Sequence, residues 1–139
     1  MKKNNTEKTN KLIAKALSFI QNGDLINAEI ILKDVLKLDS NNFIALNNIG
    51  NIYSAQNELK KAKNFFSKAI NIKHNYSNAI FNLALVNEEM GNKEEAIKFY
   101  KDAIKYDQDN LGIYYNLSRI DDGFFLDNNI KKIKEILKK

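Results

Sequence analysis

The chain contains no cysteine, no proline and no tryptophan. Without cysteine there are no disulfides and no thiolate metal sites. Without proline, no ring forces a helix to stop, so helix ends depend on caps and turn residues. Glycine is scarce, at five residues, and none is arranged as a phosphate-cradling loop. Arg119 is the sole arginine and His74 the sole histidine. His74 has no evident acid or nucleophile partner, and neither Asp121-Asp122-Gly123 nor Asp107-x-Asp109 has calcium-loop spacing. The chain is therefore not expected to be an enzyme, and no cofactor or metal is expected. No apolar run approaches the roughly 18 residues that cross a bilayer. Lys2 and Lys3 lead the chain with no apolar segment behind them, so no secretory signal is read and a cytoplasmic protein is expected.

What is present is periodic. The 139 residues are 44% apolar and 28% charged, as in an ordinary folded protein. Ala28, Ala62 and Ala96 recur every 34 residues, as do Ala16, Gly50, Ala84 and Ser118. Leu12, Leu46, Ile80 and Tyr114 keep the interval. So do Leu32, Phe66 and Tyr100, followed by Val35, Ala69, Ala103 and Leu137. One supersecondary unit copied about four times predicts an all-α solenoid of antiparallel helix pairs. The units span about 9–42, 43–76, 77–110 and a degenerate 111–139, after a flexible lead over 1–8. Gly23, Asn57 and Gly91 mark the turns within units, as residues that accept the left-handed conformation. The apolar positions within each unit recur at helical spacing.

The second unit reads Leu46-x2-Ile49-Gly50-x2-Tyr53, then Ala62-x3-Phe66-x2-Ala69. The third reads Ile80-x2-Leu83-Ala84, then Gly91, Ala96, Tyr100 and Ala103. These patterns resemble the tetratricopeptide repeat. The family's proline after the second helix is replaced by Ser40, His74 and Gln108, which predicts looser or slightly longer helix ends. In the fourth unit Phe125 takes the turn position, Ile130 the alanine position and Lys134 the aromatic position. Asp122-Gly123 is expected to end its first helix early. A last helix over about 127–139, with Ile130, Ile133, Ile136 and Leu137 on one side, is expected to cap the array.

The resemblance implies a right-handed superhelix whose first helices line a concave groove that grips a peptide or helix of a partner protein. Asn48, Asn82 and Asn116, 34 residues apart, then form a column of amides able to pair with both backbone groups of an extended ligand. Around them are Asn47, Asn51, Asn78, Phe81, Leu85, Tyr115, Glu88 and Arg119, with Phe81 and Tyr115 as aromatic anchors. Family arrays that hold acidic chaperone C-termini clamp them with lysines and an arginine beside asparagines. The matching positions here are Asn47, Asn51, Asn82, Gly112 and Asn116, which supply no cation, so no chaperone tail is expected.

The net charge of +5 raises nucleic acid as a partner. The lysines are interspersed with acids and lack aromatic interleaving, which argues against it. Two other readings stand beside the scaffold. One is a recruiting or regulatory segment of a larger transferase: the stretch from Tyr114 to Leu137 resembles the segment after the repeats in some tetratricopeptide sulfotransferases, and asparagine ladders also occur in sugar transferases built on such arrays. The other is a homo-oligomer formed through Ile13, Leu17 and Ile20.

Overall fold

In the computed structural model, residues 2–124 and 127–139 are described. Eight α-helices follow one another among them, with no strand: α1 (Lys2–Gln21), α2 (Leu25–Leu38), α3 (Phe43–Ala55), α4 (Leu59–Ile72), α5 (Ser77–Glu89), α6 (Lys93–Tyr106), α7 (Leu111–Ile120) and α8 (Asp127–Ile136). They form antiparallel pairs, the fold class of an α-solenoid. The contacts divide the chain into two compact units, Met1–His74 and Asn75–Lys139.

The 34-residue period is visible in the element bounds. Second helices start at Leu25, Leu59, Lys93 and Asp127, and the first three end at Leu38, Ile72 and Tyr106. Within each of the first three pairs, the turn is a Schellman closure. Asp24 N donates to Phe19 O, Glu58 N to Tyr53 O and Asn92 N to Asn87 O, at 2.9, 2.8 and 2.8 Å. The residue before each donor is left-handed: Gly23 at φ +77°, Asn57 at +60° and Gly91 at +79°. Sequence and geometry agree at all three.

Helix ends without proline are crisp, contrary to the expectation of loose or extended ends. Asp39, Lys73 and Asp107 leave the helical region, each with its N–H bonded to the carbonyl four residues back. Asn42 then caps α3 by accepting from Ala45 N at 3.0 Å, and Asn110 caps α7 by accepting from Gly112 N at 3.1 Å. A side-chain cap contributes about 1 kcal/mol, which does here what a proline ring does elsewhere.

In the first unit α1 pairs with α2 and α3 with α4, while α2 also packs on α3. Ala28, Leu32 and Val35 of α2 and Ala62, Phe66 and Ala69 of α4 are buried. Ile13 and Ala16 join the core from α1, and Ile20 packs against it. Of the apolar patch Ile13, Leu17 and Ile20, Ile13 is only 7% exposed and Ile20 is half-buried, while Leu17 remains 39% exposed. Residues 2–8, expected as a lead-in, continue helix α1.

Gly50 lets α3 approach α4. An added Cβ there would lie 2.5 Å from Phe66 Cε1 and 2.7 Å from Cδ1. A Gly50→Ala variant is expected to melt at lower temperature than the parent. Overpacking costs about 1–3 kcal/mol, against about 1 kcal/mol of helix propensity gained. Adding Phe66→Leu recreates the Ala16 and Leu32 combination of the first repeat, and thermal denaturation of the double variant should show recovery.

In the second unit α5 pairs with α6, α6 packs on α7, and α7 meets α8. Ala96, Tyr100 and Ala103 line the buried face of α6. The fourth repeat departs where the sequence indicates. Helix α7 stops at Ile120, and Asp121 becomes its C-cap. Lys101 pairs with Asp121 Oδ2 at 2.7 Å, and Gly123 N donates to Asp121 Oδ1 at 3.0 Å. The turn delivers Phe124, 1% exposed, edge-on to Tyr114 with ring centroids 6.3 Å apart. Phe125, assigned the turn position from sequence, lies outside the described residues. Leu137 is 67% exposed and beyond the end of α8, so it does not continue the buried column of Val35, Ala69 and Ala103. Ile130, Ile133 and Ile136 are half-buried.

Candidate functional site

The candidate residues sit on first helices, and each unit carries its own set. In the first unit, α3 holds Asn47, Asn48 and Asn51. Asn47 is 4% exposed and enters the core side of α3, which leaves little of its side chain at the surface. A step of one residue turns the side chain about 100° around a helix, which leaves Asn48 half-buried at the surface and Asn51 exposed. Asn48 Nδ2 donates to Ile44 O at 2.9 Å. Its Oδ1 and second N–H remain for another partner.

In the second unit, α5 contributes Asn78, Phe81, Asn82 and Leu85, and α7 contributes Tyr115, Asn116 and Arg119. Asn78 is exposed, and Asn82 and Leu85 are half-buried. Leu85, Asn116 and Arg119 come together with Glu88 and Glu89 around a hollow of about 270 Å³. Asn82 takes the same place in α5 that Asn116 takes in α7. Phe81 is half-buried against Tyr100, ring centroids 5.8 Å apart, and serves the internal packing. Tyr115 is 65% exposed, so of the two aromatic anchors it is the accessible one.

A polar network fixes the hollow. Tyr100, buried in α6, donates from its hydroxyl to Glu88 Oε2 at 2.7 Å. Burial and then the Glu88 carboxylate push the Tyr100 hydroxyl well above the usual phenol range, so it stays a donor. Glu88 Oε1 accepts from Arg119 Nη2. The same guanidinium donates from Nη1 to Asn116 Oδ1 at 3.0 Å and lies over the Tyr115 ring, 5.9 Å from its centroid. Asn116 Nδ2 donates to Gly112 O at 2.8 Å, which leaves its second N–H for a ligand. The amide and the ring are thus presented in fixed orientations by Arg119.

Two participants escaped sequence reasoning. Glu89 lines the hollow, yet nothing periodic marks it. The Tyr100 hydroxyl orients Glu88, whereas its repeat position signals only bulk. Buried Asn87 is structural, donating to Leu83 O at 2.8 Å. Among the described residues no group of three or more His, Asp or Glu is placed to hold a metal ion, and no helix is long and apolar enough to cross a membrane.

Two family models described as tetratricopeptide repeat match residues 43–76 and 77–110. Solved structures of similar fold include MamA, 24% identical, covering 94% of this chain and 77% of that one with a TM-score of 0.77. Another is the first tetratricopeptide domain of Spaghetti (RPAP3) bound to the HSP90 peptide SRMEEVD, 18% identical over 82% of this chain and 93% of that one, TM-score 0.79. A third is an O-GlcNAc transferase mutant of Thermobaculum terrenum, 19% identical over 81% of this chain but only 22% of that one, TM-score 0.78. No curated protein sequence matches the chain.

Proposed function

Because the chain belongs to the tetratricopeptide repeat family, a family of interaction modules, we propose that it is a scaffold that binds an extended segment of a partner protein along its first helices. Asn116 carries the reading. Its remaining N–H is held at the surface by Arg119, next to an exposed tyrosine and an open hollow. That combination suits a ligand whose backbone carbonyl meets the amide while a side chain rests on Tyr115. Asn48 and Asn82 carry the same type of side-chain amide at the same helix position of the preceding repeats. The cations that would hold an acidic chaperone tail are missing from Asn47, Asn51, Asn82, Gly112 and Asn116, so such a tail is not the ligand proposed.

The test uses peptides selected against the chain from a random library. The double variant Asn82→Ala and Asn116→Ala removes two net hydrogen bonds of about 0.5–1.5 kcal/mol each. Affinity should fall about 5- to 150-fold. Substitutions of such half-buried surface amides, outside the core, change stability by only about 0.5 kcal/mol, so melting should barely move. Selected peptides that bind the double variant as tightly as the parent defeat this reading.

A further inference from the structure

The net charge is unevenly held. Residues 1–74 carry twelve lysines against six carboxylates, and residues 75–139 carry ten cations against eleven carboxylates. The whole excess therefore belongs to the first unit, where it is shared between α1, with five lysines against Glu7, and α4. Lys60, Lys61, Lys63, Lys68 and the C-cap Lys73 occur with no acid between residues 59 and 73. The neighbouring second helices are unlike this. In α2, Lys33 pairs with Glu29 and Lys37 with Asp34, both at 2.7 Å. In α6, Lys105 pairs with Asp102 at 2.6 Å, and Glu94 and Glu95 occupy the first turn.

Two of the α4 cations are held by rings rather than left to sway. Lys61 lies 5.2 Å from the centroid of Tyr53, and Tyr53 stacks on Phe65 at 5.5 Å. Phe65 in turn lies under Lys68, at 5.3 Å. Lys61 also meets Glu58 at 2.5 Å. Lys60 and Lys68 are exposed and meet no carboxylate among the described residues. Beside Lys68 opens a cleft of about 450 Å³, where the end of α2, the next turn and α4 meet. Leu36, Leu46, Phe65 and Ile72 give it an apolar lining, and Asn71 adds an amide. Ile72 is 39% exposed there.

We propose that this cleft is a second docking surface, which takes a partner's acidic segment by one aliphatic side chain. One carboxylate pairs with Lys68 at the cleft and another, about 12 Å further along α4, with Lys60, while the aliphatic group displaces water from the cleft. The site is built from α2, the following turn, α4 and Leu46 of α3, and includes none of Asn48, Asn82 and Asn116. A polynucleotide is a poorer fit. Tyr53 and Phe65 are stacked on each other and covered by Lys61 and Lys68, leaving no open ring face for a base, and the only arginine is in α7.

The test measures fluorescence anisotropy of the whole chain with a labelled peptide in which leucines alternate with glutamates. Saturable binding that weakens with salt is expected. Lys60→Glu with Lys68→Glu should lower affinity about tenfold or more, since each reversal turns an attraction into a repulsion. Ile72→Ser, or a peptide with serine for leucine, should weaken binding about fivefold. The Asn82→Ala and Asn116→Ala variant should bind this peptide as the parent does. Melting curves of both lysine variants check that the fold is retained, and Lys60→Gln with Lys68→Gln replaces the reversals if it is not. The proposal is overturned by no binding, or by affinity that ignores the lysine changes. It is equally overturned if the serine peptide binds as well, or if oligouridylate displaces the peptide and binds more tightly.

Discussion

Phe66→Ala is expected to remove about 3–5 kcal/mol of unfolding free energy. The ring is 1% exposed and lies against Gly50, with Ala62 and Ala69 fully buried on its own helix. Gly50 has no side chain to fill the space, and Ala62 and Ala69 are too short to reach into it. Collapse would need the α3 and α4 backbones to close further, and Gly50 has already brought them as near as side-chain bulk allows. Single domains are stable by about 5–15 kcal/mol, so the variant should lose a large part of the total. In a repeat protein each unit is stabilised mainly by its own packing and its neighbours. Amide exchange should therefore accelerate first over residues 43–72. A urea titration giving a loss below about 1 kcal/mol would contradict the interlock.

Tyr100 fills the equivalent place in α6, and Tyr100→Ala should cost a similar 3–5 kcal/mol or so. Here two effects can be separated. Tyr100→Phe keeps the ring and removes only the hydroxyl that donates to Glu88 at 2.7 Å. Hydrogen bonds to charged groups contribute about 1.5–3 kcal/mol, and Glu88 keeps Arg119 as a partner, so a loss near the lower end is expected. The phenylalanine variant should also loosen Arg119 and with it Asn116, which reduces affinity for selected peptides without a cavity being made. Equal stability losses in the alanine and phenylalanine variants would show that the ring contributes little, contrary to its burial.

Much of the fold was legible because identical mechanics recur at equal spacing. Gly23, Asn57 and Gly91 announced the left-handed turns, and the alanines announced where backbones meet. The missing proline was misleading. Its role at the helix ends has passed to extended residues such as Asp39 and to Asn42 and Asn110, so the ends are not loose. The site was harder to read. Asn47 and Asn48 are adjacent and chemically identical, and only the rotation of α3 decides which enters the core. Ile13 looked exposed by its place in the repeat but is covered by its own unit. In the fourth repeat α8 starts in register at Asp127 but ends at Ile136, so Leu137 lies past the helix and reaches solvent. The cleft beside Lys68 joins residues from 36 to 72, and its charge follows no period.

Side-chain amide signals in a nuclear magnetic resonance titration with a selected peptide examine the binding face most directly. The account predicts that the amide resonances of Asn82 and Asn116 move as the peptide saturates, while those of the buried Asn47 and Asn87 stay in place. Saturable binding that leaves the Asn82 and Asn116 resonances unmoved would contradict it.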